Sequence, residues 1–134
     1  MASNQSTHFQ LNLWEPGDNF LREEFNENFT KLDEAVAAGT RLTTGSYVGN
    51  GQATQTITLD FTPKAVLVLP AGGNFFSNGS PSYTNGGLAA GGSSAKKSEG
   101  TLVSICTGGF QIYFLRDYVG TNYSNQVFNF IAVG

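Results

Sequence analysis

The sequence is poor in the residue types on which most catalytic and cross-linking chemistry depends. Its 134 residues contain one cysteine, one histidine and 13% charged residues. A single thiol excludes an intrachain disulfide and a metal cluster built from cysteines. We expect Cys106 to act as a small buried apolar side chain, because it ends the apolar run 102–106.

Charge and hydropathy exclude several classes of partner. The net charge is −3 and Lys96-Lys97 is the one basic doublet, so we expect no nucleic-acid partner. No apolar run approaches the ~20 residues of a membrane span, so no membrane insertion is expected. The polar start at 1–7 does not resemble a signal peptide. We therefore expect a soluble protein made in a cytoplasm, which would reach the outside by lysis or assembly.

Catalytic patterns are nearly absent. Asp60, Glu99 and Asp117 are the acidic residues of the region after 40, and that region has no histidine. Glycoside hydrolysis needs two carboxylates at a set separation, and nothing in the spacing links these three. Serine-hydrolase and phosphate-loop motifs are also missing. We predict a protein that is not an enzyme and has no cofactor. A metal held by three copies of His8 is an alternative, but a lone histidine in a polar arm is usually solvated, and we predict no metal.

The first forty residues contain a helical pattern. Phe25, Phe29, Leu32 and Val36 are spaced four, three and four apart, which places them on one helix face. We predict a helix over 19–37.

Two residues are predicted to cap this helix. Asp18 is the expected N-cap and Gly39 the expected left-handed C-cap.

The apolar stripe on the helix needs a packing partner. One alternative is other copies of the same helix around a trimer axis, and the other is the chain's own β domain. The polar stretch 40–45 would hold the helix away from that domain, which favours the trimer axis.

After Gly39 the sequence is typical of β-structure. Strands are predicted at 46–48, 55–61, 65–69, 102–107, 110–115 and 127–133. The continuous apolar run 65–69 predicts a central strand covered on both faces, and Gly108-Gly109 predicts a hairpin turn. The expected fold is mainly β. It comprises an extended arm (1–17), a short helix in a trimeric bundle (18–39) and a head of β-sandwich or jelly-roll type (40–134).

Two loops combine aromatic residues with small polar ones. The first lies within 71–100 and the second is 116–125. Such surfaces suit recognition of sugars and proteins, because rings stack and small polar side chains adapt. The candidate ligand-binding residues are Tyr83, Asn85, Asp117, Tyr118, Asn122 and Tyr123, with Phe75 and Phe76 as apolar anchors. In the alternative interpretation, these aromatic side chains cover the core or the seam between copies.

Both ends of the chain resemble a known class of protein. The N-terminal region carries LNLWEP at 11–16, LREEFNENF at 21–29 and KLD at 31–33. These segments resemble the start of small tail or fibre proteins of phages and prophages of Gram-positive bacteria, especially clostridial ones. Segments 45–51, 57–66 and 128–134 look like the opening and the end of a β-rich fibre head.

The resemblance implies a homotrimeric virion protein that recognises a bacterial surface glycan or protein. On this interpretation Phe25, Phe29, Leu32 and Val36 form the trimer interface. The arm would bind other virion proteins through Phe9, Leu11, Leu13 and Trp14. The chain is short and lacks a long shaft, which leaves open a tip, a baseplate appendage or a capsid decoration. The alternatives are a capsid or tail decoration without a specific ligand, and a depolymerising enzyme.

Overall fold

The structure, a computed structural model, describes residues 1–72 and 84–134. The chain divides into two compact units, Met1–Thr40 and Arg41–Gly134. Phe75, Phe76 and Tyr83 lie outside the described residues. The elements are β1 (Asn4–Gln5), β2 (Asn12–Leu13), α1 (Arg22–Ala38), β3 (Leu42–Val48), β4 (Thr54–Thr58), β5 (Ala65–Pro70), β6 (Gly87–Ala90), β7 (Ala95–Lys97), β8 (Gly100–Cys106), β9 (Gly109–Arg116), β10 (Val119–Gly120) and β11 (Val127–Val133).

The N-terminal arm folds back on the helix instead of extending. β1 and β2 pair antiparallel, and β2 contacts α1 through side-chain amides. The Asn12 backbone N–H donates to Asn28 Oδ1 (2.6 Å), and Asn28 Nδ2 donates to the Asn12 carbonyl oxygen (2.9 Å). Lys31 Nζ donates to the Gln10 carbonyl oxygen at 2.7 Å. These polar contacts hold the arm against one face of α1.

The predicted N-cap is wrong, whereas Gly39 is the C-cap residue as predicted but does not adopt the predicted left-handed conformation. The helix begins at Arg22, its N-cap is Leu21, and no side chain caps it. The carboxylate of Asp18 instead accepts hydrogen bonds from the backbone N–H groups of Glu15 (2.8 Å) and Ser3 (2.9 Å). These bonds and that from the Ser3 hydroxyl lower the pKa of Asp18. Gly39 is extended (φ −60°, ψ 147°) rather than left-handed, because the chain runs directly toward β3.

The second unit consists of two antiparallel sheets, which confirms a mainly β fold. One sheet has the strand order β3-β11-β5-β6. In the other, β9 pairs with β4, β8 and β10, and β8 pairs with β7. Alternate residues of both sheets point into one shared core. The buried hydrophobic residues are Tyr47, Val66, Val68, Ala89, Ala95, Leu102, Val103, Phe110, Ile112, Val119, Phe128, Phe130 and Ala132.

Aromatic side chains fill the centre of this core. The Tyr47 ring stacks on Phe128 with centroids 5.3 Å apart, and Phe110 meets Phe130 edge-on at 5.1 Å. The Tyr47 hydroxyl donates to the Thr121 carbonyl oxygen at 2.6 Å. This bond satisfies the one polar atom of the Tyr47 side chain inside the core.

Strand β5 is covered on one face only, so the prediction that both faces are covered is wrong for a single chain. Val66 and Val68 are fully buried. Leu67 and Leu69 on the opposite face are partly exposed. β5 lies between β11 and β6, which pair with both of its edges, but only one face of its sheet meets the other sheet.

Glycines permit two tight turns in the head. Gly108 (φ +71°) lies in the two-residue connection between β8 and β9, whereas Gly109 already belongs to β9. Gly91 and Gly92 (φ +59° and +79°) connect β6 to β7 and so take the chain from one sheet to the other. The two strands that this turn connects, β6 and β7, lie within the region 71–100, which the sequence predicts to be a loop.

We expect the stability of the head to fall above pH 10. Burial raises the pKa of Tyr47 from its ordinary value of 10.0. The unfolded chain then releases this proton at a lower pH than the folded chain does, so the Tyr47 contribution is complete below pH 10 and declines above it. Urea midpoints measured on both sides of pH 10 check this. Tyr47→Phe should flatten the decline, and an unchanged profile in that variant would contradict the assignment.

Candidate functional site

The connection between β9 and β10 presents an exposed tyrosine. Arg116 pairs with Val119, so Asp117 and Tyr118 form the two-residue tip of a hairpin. Asp117 is exposed and Tyr118 is 49% exposed. Tyr118 has φ +66°, a backbone conformation that residues other than glycine, and bulky ones above all, seldom adopt. Strained residues of this kind cluster at binding sites, so the tip is a candidate ligand contact.

A neighbouring segment supports the tip from the side. The Thr84 N–H donates to the Tyr118 carbonyl oxygen at 2.9 Å, and the Gly120 N–H donates to the Thr84 carbonyl oxygen at 3.0 Å. When the Asn85 amide is oriented so that its nitrogen meets acceptors, this nitrogen donates to the carbonyl oxygens of Tyr118 and Thr84, each at 3.1 Å. Asn85 is 8% exposed. Its amide is therefore engaged in fixing the tip and is not open to a ligand, in contrast to the prediction from the sequence.

Charged side chains flank the tip. Arg116 Nε and Nη2 both donate to Glu99 Oε1, at 3.1 and 2.8 Å, and Arg116 Nη1 donates to the Asp117 carbonyl oxygen at 3.1 Å. Lys97 Nζ lies 3.9 Å from Glu99 Oε2. The Arg116 guanidinium lowers the pKa of Glu99. Glu99 is therefore ionised near neutral pH, which suits a surface contact and does not suit a general acid.

Tyr123 supports the base of the same hairpin. Its hydroxyl donates to the Arg116 carbonyl oxygen at 3.0 Å, and its ring meets Phe114 edge-on at 5.2 Å. Burial raises the pKa of Tyr123 to about 12, and the Asp117 carboxylate adds to this rise. Tyr123 is partly buried, and these contacts give it a structural role beside any ligand contact.

Asn122 is fully buried and joins two loops. Its Oδ1 accepts from the Asn50 N–H at 3.0 Å, and its Nδ2 donates to Asn50 Oδ1 (2.8 Å) and to the Gln52 carbonyl oxygen (2.9 Å). Both polar atoms of the Asn122 side chain are thus hydrogen-bonded within the protein. The fully buried Asn122 is therefore not open to a ligand, in contrast to the prediction from the sequence.

We expect Asn122→Ala to destabilise the head by about 3 kcal/mol, because it removes the three hydrogen bonds that the fully buried Asn122 amide makes to Asn50 and Gln52. Thermal denaturation followed by circular dichroism should show a Tm lower by roughly 10 °C. Asn26→Ala, on an exposed position of α1, is the matched control and should change stability by less than about 0.5 kcal/mol. Equal effects of the two variants would contradict the structural role of Asn122.

Sequence reasoning named both tip residues but missed three of the residues that support them. Thr84, Glu99 and Arg116 were not among the expected site residues, because each depends on a contact between distant parts of the chain. The connection 117–118 contains no glycine or asparagine, so it lacks the usual signal of a two-residue hairpin. Tyr83, the remaining expected ligand contact, lies outside the described residues.

A depression lies where the chain passes between the sheets. It has a volume of about 340 Å³ and is lined by Pro63, Lys64, Gly91, Gly92, Ser93, Ser94 and Ile105. Its polar groups are serine hydroxyls, backbone and one lysine. None of the residues expected to bind a ligand contributes to it.

The helix exposes its apolar stripe. Phe25, Phe29, Leu32 and Val36 are 41%, 57%, 37% and 80% exposed, and no residue of α1 is buried. Asn12 is the one buried residue of 1–40, all of which the structure describes. The stripe lies about a third of a turn around α1 from the side chains that bond to the arm. The unit therefore has no buried hydrophobic core of its own.

An aromatic cluster continues the stripe toward the arm. Trp14 and Phe20 lie 5.1 Å apart, Phe20 and Phe25 lie 5.3 Å apart, and Phe25 and Phe29 lie 4.9 Å apart between ring centroids. The indole Nε1 of Trp14 is shielded from solvent and finds no hydrogen-bond acceptor in the part of the chain that the structure describes.

The residues expected to anchor the arm differ in exposure. Phe9 is 53% exposed and Leu13 is 45% exposed. Leu11 and Trp14 are partly buried. Phe9 and Leu13 therefore remain available to another protein, while Trp14 belongs to the aromatic cluster.

Two further structural features bear on function. Across 1–72 and 84–134, no three side chains from His, Cys, Asp and Glu lie close enough together to hold a metal ion. Among those residues no helix is both long and apolar enough to span a bilayer.

Comparison with protein-family models, with curated proteins and with solved structures finds no match to this chain.

Proposed function

We propose that this chain is a homotrimeric virion fibre protein whose head attaches to a bacterial surface, through a cell-wall glycan. The helix α1 assembles three copies, the β-sandwich or jelly-roll head presents the 117–118 tip, and the arm binds another virion protein. The proposal joins the resemblance at the two chain ends to the surfaces that the fold leaves exposed.

The observation that carries the proposal is the absence of a buried hydrophobic side chain in 1–40. A unit of this size with its phenylalanines in water has too little buried apolar surface to be stable. The stripe Phe25, Phe29, Leu32 and Val36 alternates steps of four and three, the a/d spacing of a coiled coil. Three copies would bury this seam. The hydrogen bonds between the arm and α1 lie on another helix face, and Trp14 meets the stripe at Phe25.

The tip has the chemistry of a sugar contact. The exposed Tyr118 ring supplies a face for stacking, and Asp117 supplies acceptors for hydroxyl groups. One such shallow site binds weakly, but three sites on a trimer bind one surface together and gain avidity. Trimerisation and attachment are thus linked in this proposal.

The arm supplies the remaining contact. Phe9 and Leu13 are exposed, and an arm docked on α1 presents both without having to be ordered first. We assign these two residues to binding another virion protein.

Two measurements on the unmodified chain test the proposal. Light scattering should give a mass about three times the 14.3 kDa of one chain, and the purified protein should sediment with bacterial cell walls. A folded single subunit would overturn the trimer. A trimer that does not bind cell walls would favour a decoration protein without a ligand. Release of reducing sugar from the cell walls would favour a depolymerising enzyme.

A further inference from the structure

The outer faces of the two head sheets differ in chemistry. On the sheet containing β9, the Ser104 and Tyr113 hydroxyls lie 2.8 Å apart, and Tyr113 donates to Gln111 Oε1 at 3.0 Å. Gln111 Nε2 in turn donates to Thr56 Oγ1 at 3.5 Å. This chain of hydrogen bonds crosses three neighbouring strands. The polar side chains of that outer face are suited to exposure to solvent.

The outer face of the sheet β3-β11-β5-β6, here called the apolar outer face, is the opposite. Ile131 pairs with Leu67, and Leu67 pairs with Leu88, so three aliphatic side chains form one row across the sheet. Six large hydrophobic side chains of the head are exposed among the described residues, and all but Tyr118 lie on this face. The five are Leu42 (68% exposed), Val48 (54%), Leu88 (58%), Val127 (42%) and Ile131 (44%).

The apolar outer face has two properties that suit contact with a like surface. The four strands that form it contain no charged residue. It also contains a hollow of about 100 Å³ lined by Leu67, Leu69, Asn129, Phe130 and Ile131. Since a cavity of about 150 Å³ holds a benzene molecule, this hollow has the size of an aliphatic side chain.

We propose that the apolar outer faces of three copies pack against one another around the trimer axis. The inference rests on the trimer of the proposed function and adds the head as a second interface. Charged surfaces repel their own copies, and this face has no charge that would do so. A lone chain leaves the row Ile131, Leu67 and Leu88 in water.

The area of the face favours a copy that is already held nearby. Strands of seven residues extend about 24 Å, and four strands span about 19 Å, which gives a footprint of roughly 400 Å² once the shorter β6 is allowed for. A stable stand-alone interface buries about 800 Å² per partner. The face is therefore too small to hold a free partner, but it suits heads that the helices already keep at high local concentration.

Cross-linking on the full chain tests the inference. In a Cys106→Ala background, Ile131→Cys places one thiol at the centre of the apolar outer face, and Thr56→Cys places one on the polar outer face. A short bis-maleimide should join chains through the first thiol and leave the second unjoined. A monofunctional maleimide, applied to unfolded and folded protein, reports whether each thiol is accessible.

A charge at the same position provides the second measurement. Ile131→Asp lies at a partly exposed position of a lone chain, so the head should still fold. The concentration at which trimers dissociate should rise roughly 100-fold, because three carboxylates would be buried together. Thr56→Asp is the matched control and should leave this concentration unchanged.

The outcomes separate this inference from the proposed function. A trimeric mass with no cross-link at Ile131→Cys and no effect of Ile131→Asp overturns the head interface and leaves the helix trimer standing. Cross-linking at Ile131→Cys that disappears in Phe29→Asp supports a head interface that forms only when the helices hold the heads together. A further outcome is that the monofunctional reagent fails to modify the thiol at 131 in a monomeric chain. That result would show that the chain covers its own apolar outer face, and it would overturn the inference.

Discussion

Phe29→Asp should convert the protein from a trimer into monomers or insoluble material. Phe29 lies in the middle of the stripe and is 57% exposed in one chain, so the substitution costs a lone chain little. In a three-helix seam it removes three aromatic rings and buries three carboxylates. Loss of a buried phenylalanine alone costs about 3 kcal/mol or more per copy, which raises the dissociation constant at least 100-fold for each. Sedimentation equilibrium measures the change.

The matched control for this experiment is Thr30→Asp. Thr30 is exposed about a third of a turn around α1 from the stripe, and its side chain donates one hydrogen bond to the Asn26 carbonyl oxygen (3.3 Å). The two variants carry the same new residue at adjacent positions, so helix propensity and net charge are equal. Only the substitution at Phe29 should lower the mass of the assembly that sedimentation equilibrium measures. A soluble, folded trimer of Phe29→Asp would remove the axial role of the stripe.

Tyr118→Gly should abolish adsorption to bacterial cell walls without unfolding the head. An aromatic anchor of this kind contributes about 2 kcal/mol, roughly 30-fold in affinity at one site. Three weakened sites acting together lose far more, up to about 10⁴-fold in avidity. The head should keep its stability within about 1 kcal/mol, since glycine adopts the φ of +66° at this position without strain.

Further variants at the tip identify the contact. Tyr118→Phe keeps the ring and should retain most adsorption if stacking dominates, while Asp117→Asn removes the carboxylate and should weaken it. Asp60→Asn makes the same charge change at an exposed carboxylate that lies 3.5 Å from Arg41, and it should have no effect. Full adsorption by Tyr118→Gly would exclude the tip as the attachment surface. Tyr123 is less suited to this test, because its bond to the Arg116 carbonyl oxygen supports the hairpin.

The sequence was sufficient to locate the main elements of the fold. The spacing of Phe25, Phe29, Leu32 and Val36 predicts α1, and alternation or apolar runs predict β5, β8, β9 and β11 near their observed bounds. These signals are local, because the period of an element follows from its own backbone geometry. The short strands β6, β7 and β10 were missed, since their pairing partners lie far away or their residues give no periodic pattern.

The candidate site was only partly accessible to this reasoning. Asp117 and Tyr118 were named from the composition of their loop, and both are exposed. Asn85 and Asn122 were named for the same reason and are buried. Composition reports which side chains are able to bind a ligand. It does not report which of them the fold has already engaged.

By itself the sequence determined that this chain has one helix-forming stripe and a β-rich remainder, because periodicity and turn residues act over a few positions. Tertiary structure alone decided where the polar and apolar surfaces face. The arm folds onto α1 through the Asn12–Asn28 amide pair, and one sheet keeps an uncharged face outward while the other carries hydrogen-bonded side chains. Those outcomes depend on contacts between residues that are distant in the chain, whose geometry is set only when the sheets have paired.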